Sequence, residues 1–206
     1  MISHGWPVSP RPVFTIFLTI LISFITSGCA KNGATRWRSF PVAVYSDTSI
    51  VGTSDSQADL QDAMSFWENK VGRKLFEYKG VWNGTSQPYT GTASHPGTIL
   101  ANVIFFQNPW PASSNVIGQT VVTSLDDQIQ NAMIMINPYA EFCSRDCEGK
   151  YYANSARKNL AHELGHFLGL KHHQDVSNVM YPVLQPGGSM NGVGVDETAL
   201  IELMQD

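Results

Sequence analysis

Charge is scarce in this sequence: 13 Lys and Arg stand against 17 Asp and Glu in 206 residues, for a net charge of −4. Arg11 is the one charged residue of the first 28, so the remainder carries 12 basic against 17 acidic residues, or −5. A mildly acidic body has no electrostatic footprint for nucleic acid, and that class of partner is set aside. The apolar run near the N-terminus, Val13 to Thr26 (VFTIFLTILISFIT), has 14 residues, short of the roughly 20 that span a bilayer. It follows Arg11 and precedes small residues, the order of a secretory signal peptide, which takes no part in the fold. Cysteine is rare too, at three residues. No internal repeat is evident, and the length suits one domain core and is short for two.

The segment Ile25-Thr26-Ser27-Gly28-Cys29 resembles the lipobox of bacterial lipoproteins, with Thr26 where Leu is usual. The resemblance implies cleavage before Cys29 and lipidation of its thiol, which would anchor the chain to a membrane. Ala30 follows the cysteine, and by similarity to Gram-negative lipoproteins that implies the outer membrane in such an organism, otherwise the cell surface. The expected organisation is a signal peptide over 1–28, a lipid-anchored tether over 29–38 and a catalytic domain over 39–206. Setting Cys29 aside leaves Cys143 and Cys147. In an exported chain they are expected to form a disulfide that closes a small loop and pins local shape.

Along the mature chain, Phe40 to Tyr45 reads as a strand ended by Ser46-Asp47-Thr48, a turn-forming cluster. Leu60, Met64, Trp67 and Val71 recur at helical spacing, with Ser/Asp capping candidates before them and Gly72 after, which predicts one amphipathic helix. Leu75 to Tyr78, Ile99 to Phe106, Gln119 to Ser124 and Ala132 to Asn137 are further candidate strands, the last two joined as a hairpin across Asp126-Asp127. Leu160, Leu164, Phe167 and Leu168 mark the core face of a second helix. A third is expected after an Asp196 N-cap, burying Leu200, Ile201, Leu203 and Met204.

The second helix carries the chemistry. His162-Glu163-Leu164-Gly165-His166-Phe167-Leu168-Gly169-Leu170-Lys171-His172 reads HExxHxxGxxH. One helical turn separates His162 from His166, so both imidazoles can reach one Zn²⁺. Gly169 permits a sharp exit from the helix that brings His172 in as third ligand. Three protein ligands leave a position for water, which zinc would activate at neutral pH, with Glu163 as general base for attack on a peptide carbonyl. Five fixed positions would arise by accident in roughly one such sequence per 10⁵.

With Ser177-Asn178-Val179-Met180-Tyr181-Pro182 beside it, this motif resembles the metzincin family, and within it the matrixins, the group that contains the matrix metalloproteinases. That segment is similar to the matrixin Met-turn, with Met180 eight positions after His172. The resemblance implies a zinc-dependent endopeptidase of α+β fold, a zincin-like catalytic domain with a twisted, mixed five-stranded sheet and three helices. It implies one catalytic zinc held by His162, His166 and His172, Met180 packed beneath it, and an extended protein or peptide substrate pairing with the edge strand near Gly118 to Ser124. A monomer is expected.

The sequence departs from the matrixins in three places. A structural zinc is not expected, since His95 alone lies in the loop where they place its ligands. About a dozen residues separate Cys29 from the first strand, too few for a blocking prosegment. Pro182-Val183-Leu184 replaces the usual Pro-x-Tyr of the specificity pocket wall. Scattered Asp and Asn leave calcium open. His173 is an alternative to His172 as ligand. Asp175 is either a group orienting a ligand imidazole from behind or a turn residue. Two other functions share these residues: a zinc-containing binding module without turnover, and a zinc hydrolase acting on cell-wall peptides.

Overall fold

In the computed structural model, which describes residues 35–83, 101–144, 147, 153–184, 190 and 192–205, the chain runs β1 (Arg36–Trp37), β2 (Val42–Ser46), α1 (Ser54–Val71), β3 (Phe76–Val81), β4 (Val103–Phe106), β5 (Gly118–Leu125), β6 (Gln128–Ile136), β7 (Phe142–Cys143), β8 (Asn154–Ser155), α2 (Ala156–Leu168) and α3 (Glu197–Leu203). Met1 to Cys29, with the expected signal peptide, lipobox and lipidated cysteine, and His95 lie outside the described residues.

Period-two alternation in β4 and β6 sets the layers. Ile104, Ala132, Ile134 and Ile136 face one side, where they join Trp67, Leu164 and Phe167 of the helices in the main core. Val103, Phe105, Met133 and Met135 face the other, under Tyr45, Trp82, Trp110 and Val121. These central strands are therefore buried on both faces, which is why they read as nearly unbroken apolar runs.

Among the described residues the sheet has six strands where five were expected. β6 pairs in parallel with β4 over Ile134–Ile136, β4 with β2, and β2 with β3. β4 is too short to cover the start of β6, and there β1 pairs instead, Arg36 with Gln128 and Trp37 with Ile129. β5 runs antiparallel along the full length of β6 and has no other neighbour among the described residues. Asp126 and Asp127 join the two at φ 50° and 61°, the positive pair that a two-residue hairpin turn of primed type requires and that Asp tolerates. The expected hairpin is present, and its outer edge is unpaired among the described residues.

Polar side chains start the helices. Thr53, rather than one of the expected Ser or Asp residues, caps α1 in a reciprocal pair with Ser56, and Gly72 ends it at φ 66°. Ser155 caps α2 and Asp196 caps α3. Of the four residues expected to be buried on α3, Leu200 and Leu203 are, whereas Ile201 is 52% exposed and Met204 is the half-buried C-cap. A seven-residue helix that buries positions three apart has no room on the same face for the next residue round. Cys143 and Cys147 form the expected disulfide, with Cα atoms 5.4 Å apart.

The domain also begins before residue 39. Trp37 is buried, stacks on Phe167 with ring centres 5.1 Å apart, and donates from Nε1 to the Phe167 carbonyl at 2.8 Å. The last residues of the expected tether are thus part of the fold and rest on the end of α2.

Candidate metal centre

The core face of α2 fixes its roll, and the roll aims its polar face. Leu160, Leu164, Phe167 and Leu168 are buried against the sheet and α1. Trp67 of α1 donates from Nε1 to the Ala161 carbonyl at 2.8 Å, tying the two helices at the residue just before the motif. Asn159, His162, Glu163 and His166, at helical positions i, i+3, i+4 and i+7, then line a cleft of about 910 Å³ between α2, β5 and the segment after the Met180 turn.

Gly169 stands at φ 108°, in the left-handed region, and its N–H caps the Gly165 and His166 carbonyls. A side chain there would also collide with the Thr35 carbonyl, since a Cβ would lie 2.2 Å from its oxygen. The turn returns His172 to the helix, and one ligand atom from each of His162, His166 and His172 falls within 4.8 Å of the others. His173 is not in that group. Its backbone N–H donates to the Met180 carbonyl and its Nδ1 accepts from the Asp175 N–H.

Two of the imidazoles are oriented by backbone. His162 Nδ1 donates to the Val179 carbonyl at 2.7 Å and His166 Nδ1 to the Leu170 carbonyl at 2.8 Å. A carbonyl can only accept, so each ring carries its proton on Nδ1 and presents the Nε2 lone pair. Burial lowers the His162 pKa to about 4, against the Val179 hydrogen bond and aided by the neighbouring His166 and His172. His166 is lowered as well, chiefly by burial, against the Leu170 bond and with His172 adding to the drop. Neutral rings with fixed Nε2 atoms are the form a divalent metal requires, and three nitrogen donors suit zinc.

Asp175 does not orient these two rings. It is fully exposed, and its Oδ1 accepts from the Ser177 N–H and hydroxyl at 2.9 Å, a turn interaction. Carbonyls from the same segment do the orienting.

Glu163 is buried, which pushes its carboxyl up to about 7 in the metal-free chain, against a hydrogen bond from Thr120 that lowers it. Thr120 Oγ1 lies 2.7 Å from Glu163 Oε2 and 3.0 Å from the Glu163 carbonyl. Gly118, two residues back on β5, lets the strand approach closely: a Cβ there would sit 2.6 Å from Glu163 Oε1. The reading of the sequence placed both residues on the edge strand but missed their approach to Glu163. The only signal was alternation along β5, which turns Gly118, Thr120 and Val122 to one face.

Met180 is 2% exposed and lies under the motif. A Cβ on Gly165 would stand 2.2 Å from its Sδ, so the mid-helix glycine admits the thioether. Asn178 shapes this turn, its Oδ1 accepting from the Met180 N–H at 2.9 Å, while Val179 N–H donates to the Gly194 carbonyl.

A family model described as Matrixin matches residues 147–203, the stretch that holds α2, the three histidines, the Met180 turn and α3. No curated protein matches the chain. The match supports a metzincin-like fold, with which the three helices and largely parallel sheet are compatible, and the site suggests a zinc metalloprotease.

Proposed function

We propose that this chain is a zinc-dependent endopeptidase that cuts extended protein segments. The observation that carries this reading is the convergence of His162, His166 and His172 beside the buried carboxylate of Glu163, on the floor of an open cleft. Bound zinc supplies the Lewis acid that polarises a carbonyl and lowers the pKa of water toward neutrality. Glu163 takes the proton of the attacking water and returns it to the departing amine. Thr120 holds Oε2, which leaves Oε1, without a hydrogen bond among the described residues, to handle that proton. The outer edge of β5, unpaired among the described residues, borders the cleft and pairs with the substrate backbone as an added strand. Retention of Glu163 speaks against a binding module, because holding a metal does not require it.

The enzyme acts as a monomer with one catalytic zinc, outside the inner membrane and anchored through Cys29. The lipobox-like segment and the apolar run before it support the anchor. Membrane fractionation of Cys29→Ser beside the parent, and globomycin sensitivity of processing, test it; a variant that stays in the membrane fraction refutes it. For the activity, the soluble chain from Ala30 onward is assayed on casein and a quenched-peptide library, with and without chelator. Zinc-restorable cleavage that Glu163→Ala lowers at least about 10²-fold is expected. If both proteins bind one zinc and neither cuts, the endopeptidase reading fails.

A further inference from the structure

Asn159 is 1% exposed, and its Oδ1 is buried without a hydrogen-bond partner among the described residues. Buried amide oxygens are nearly always paired, because an unpaired one forfeits its hydration with no return. Asp59 Oδ1, Arg157 Nε and Trp82 Nε1 share this condition, but their residues do not line the large cleft. Asn159 does. It stands on the polar stripe of α2 one turn before His162 and Glu163, in the wall of the cleft beside the reacting centre, where an occupant that displaces the packing over its side chain would reach the oxygen.

The neighbouring lining sets what that occupant is. Val116, Ile117, Val183 and Leu184 contribute apolar surface, and Glu163 is the one carboxylate among the described lining residues. Asn154 also lines the cleft, but its amide donates to the Glu141 carbonyl at 3.2 Å. An aliphatic side chain entering here would leave the Asn159 oxygen unpaired. A lysine or arginine would bring a charge whose one counter-ion among the described lining residues is the proposed base. A carboxamide has an N–H for the oxygen and an oxygen for the Asn159 N–H, and adds no charge.

We propose that Asn159 is a specificity-determining residue that makes the cleft select a substrate side chain ending in a carboxamide next to the cleaved bond. This rests on the endopeptidase reading, and the experiment separates the two. Peptides cut from a quenched library are remade with Gln or Leu at each position flanking the cleaved bond, and kcat/KM is measured on the zinc-loaded chain and on Asn159→Leu. At one flanking position Gln is favoured over Leu by at least about tenfold in the parent, and Asn159→Leu abolishes or reverses that ratio. In parallel, affinities of the same peptides, dye-labelled, are read by fluorescence anisotropy on Glu163→Ala, with and without Asn159→Leu, and show the same ordering without turnover. Asn159→Ser, a smaller change, serves if the leucine variant does not fold. A parent that favours Leu, a ratio unmoved by either substitution, or equal or absent binding of the peptides overturns the proposal. If the parent cuts nothing, uncut library peptides carrying Gln or Leu at each position are bound to Glu163→Ala instead; a preference for Gln that Asn159→Leu removes leaves the carboxamide pocket standing while the endopeptidase reading falls.

Discussion

Adding one methyl group at Gly165 tests how tightly the centre is built. A Cβ there would lie 2.2 Å from Met180 Sδ, 3.1 Å from Met180 Cε and 2.7 Å from Trp67 Cζ2, where carbon contacts settle at about 3.5–4.0 Å. Something must move by roughly an ångström, and neither neighbour is free. Trp67 is fully buried and its Nε1 is held by the Ala161 carbonyl, while Met180 is 2% exposed in a turn pinned by Asn178. Overpacking of this kind costs about 1–3 kcal/mol, here toward the upper end because two walls are struck. Alanine returns about 1 kcal/mol through better helix propensity. Gly165→Ala is therefore expected to lose about 1–2 kcal/mol, a fall in Tm of about 2–8 °C for a domain of this size. Urea melts of the metal-free protein measure it. Met180→Ala alone is expected to cost about 2–5 kcal/mol for the cavity, but in that background Gly165→Ala costs at least about 1 kcal/mol less than in the parent. A Gly165→Ala protein as stable as the parent, or a cost unchanged when Met180 is absent, would refute the close-contact argument.

Three further outcomes follow from the same geometry. The Glu163 carboxyl, at about 7 in the folded metal-free chain against 4.5 ordinarily, binds its proton more tightly folded than unfolded; stability is full below about pH 4.5 and falls by up to about 3 kcal/mol as pH rises to about 7. Glu163→Gln removes that loss, so metal-free melts should find it more stable than the parent above pH 7 and similar at pH 4, and the reverse order at pH 8 would contradict the burial argument. Thr120→Val is expected to lower kcat at least about tenfold with KM and zinc content little changed, and Thr120→Ser to recover most of it; equal losses in both would point to packing instead of the hydrogen bond to Glu163. Trp37→Ala is expected to cost about 3–5 kcal/mol, measured by denaturant melts, whereas an effect under about 0.5 kcal/mol would return residues 35–38 to the tether.

Much of this was legible because the responsible signals are local. A helix stop at Gly72, a cap at Asp196, a turn at Asp126-Asp127 and ligands one helical turn apart each depend on residues within reach of one another along the chain. What escaped depends on register between distant segments. β1 has two residues, too few to show a period, and exists because β4 leaves the start of β6 uncovered. Thr120 meets Glu163 only because β5 crosses α2 at that point. The groups that orient His162 and His166 are carbonyls, and every residue has one, so no side-chain pattern announces them. Asp175 had two readings in the sequence, and only the structure chooses the turn: a carboxylate near a ligand along the chain can be engaged by its own turn instead.

The turn from Ser177 to Tyr181 has a consequence for how such a chain can diversify. It sets the tilt of one ligand through the Val179 carbonyl and fills the space under the motif with Met180, in a gap that Gly165 keeps open. These positions cannot be explored one at a time, since a larger residue at 165 needs a smaller one at 180, and a change at 178 disturbs both the filling and the tilt. Lineages descending from this sequence are free to drift on the outer face of α1 or along β3, but must carry 165, 178 and 180 forward as a single inherited character.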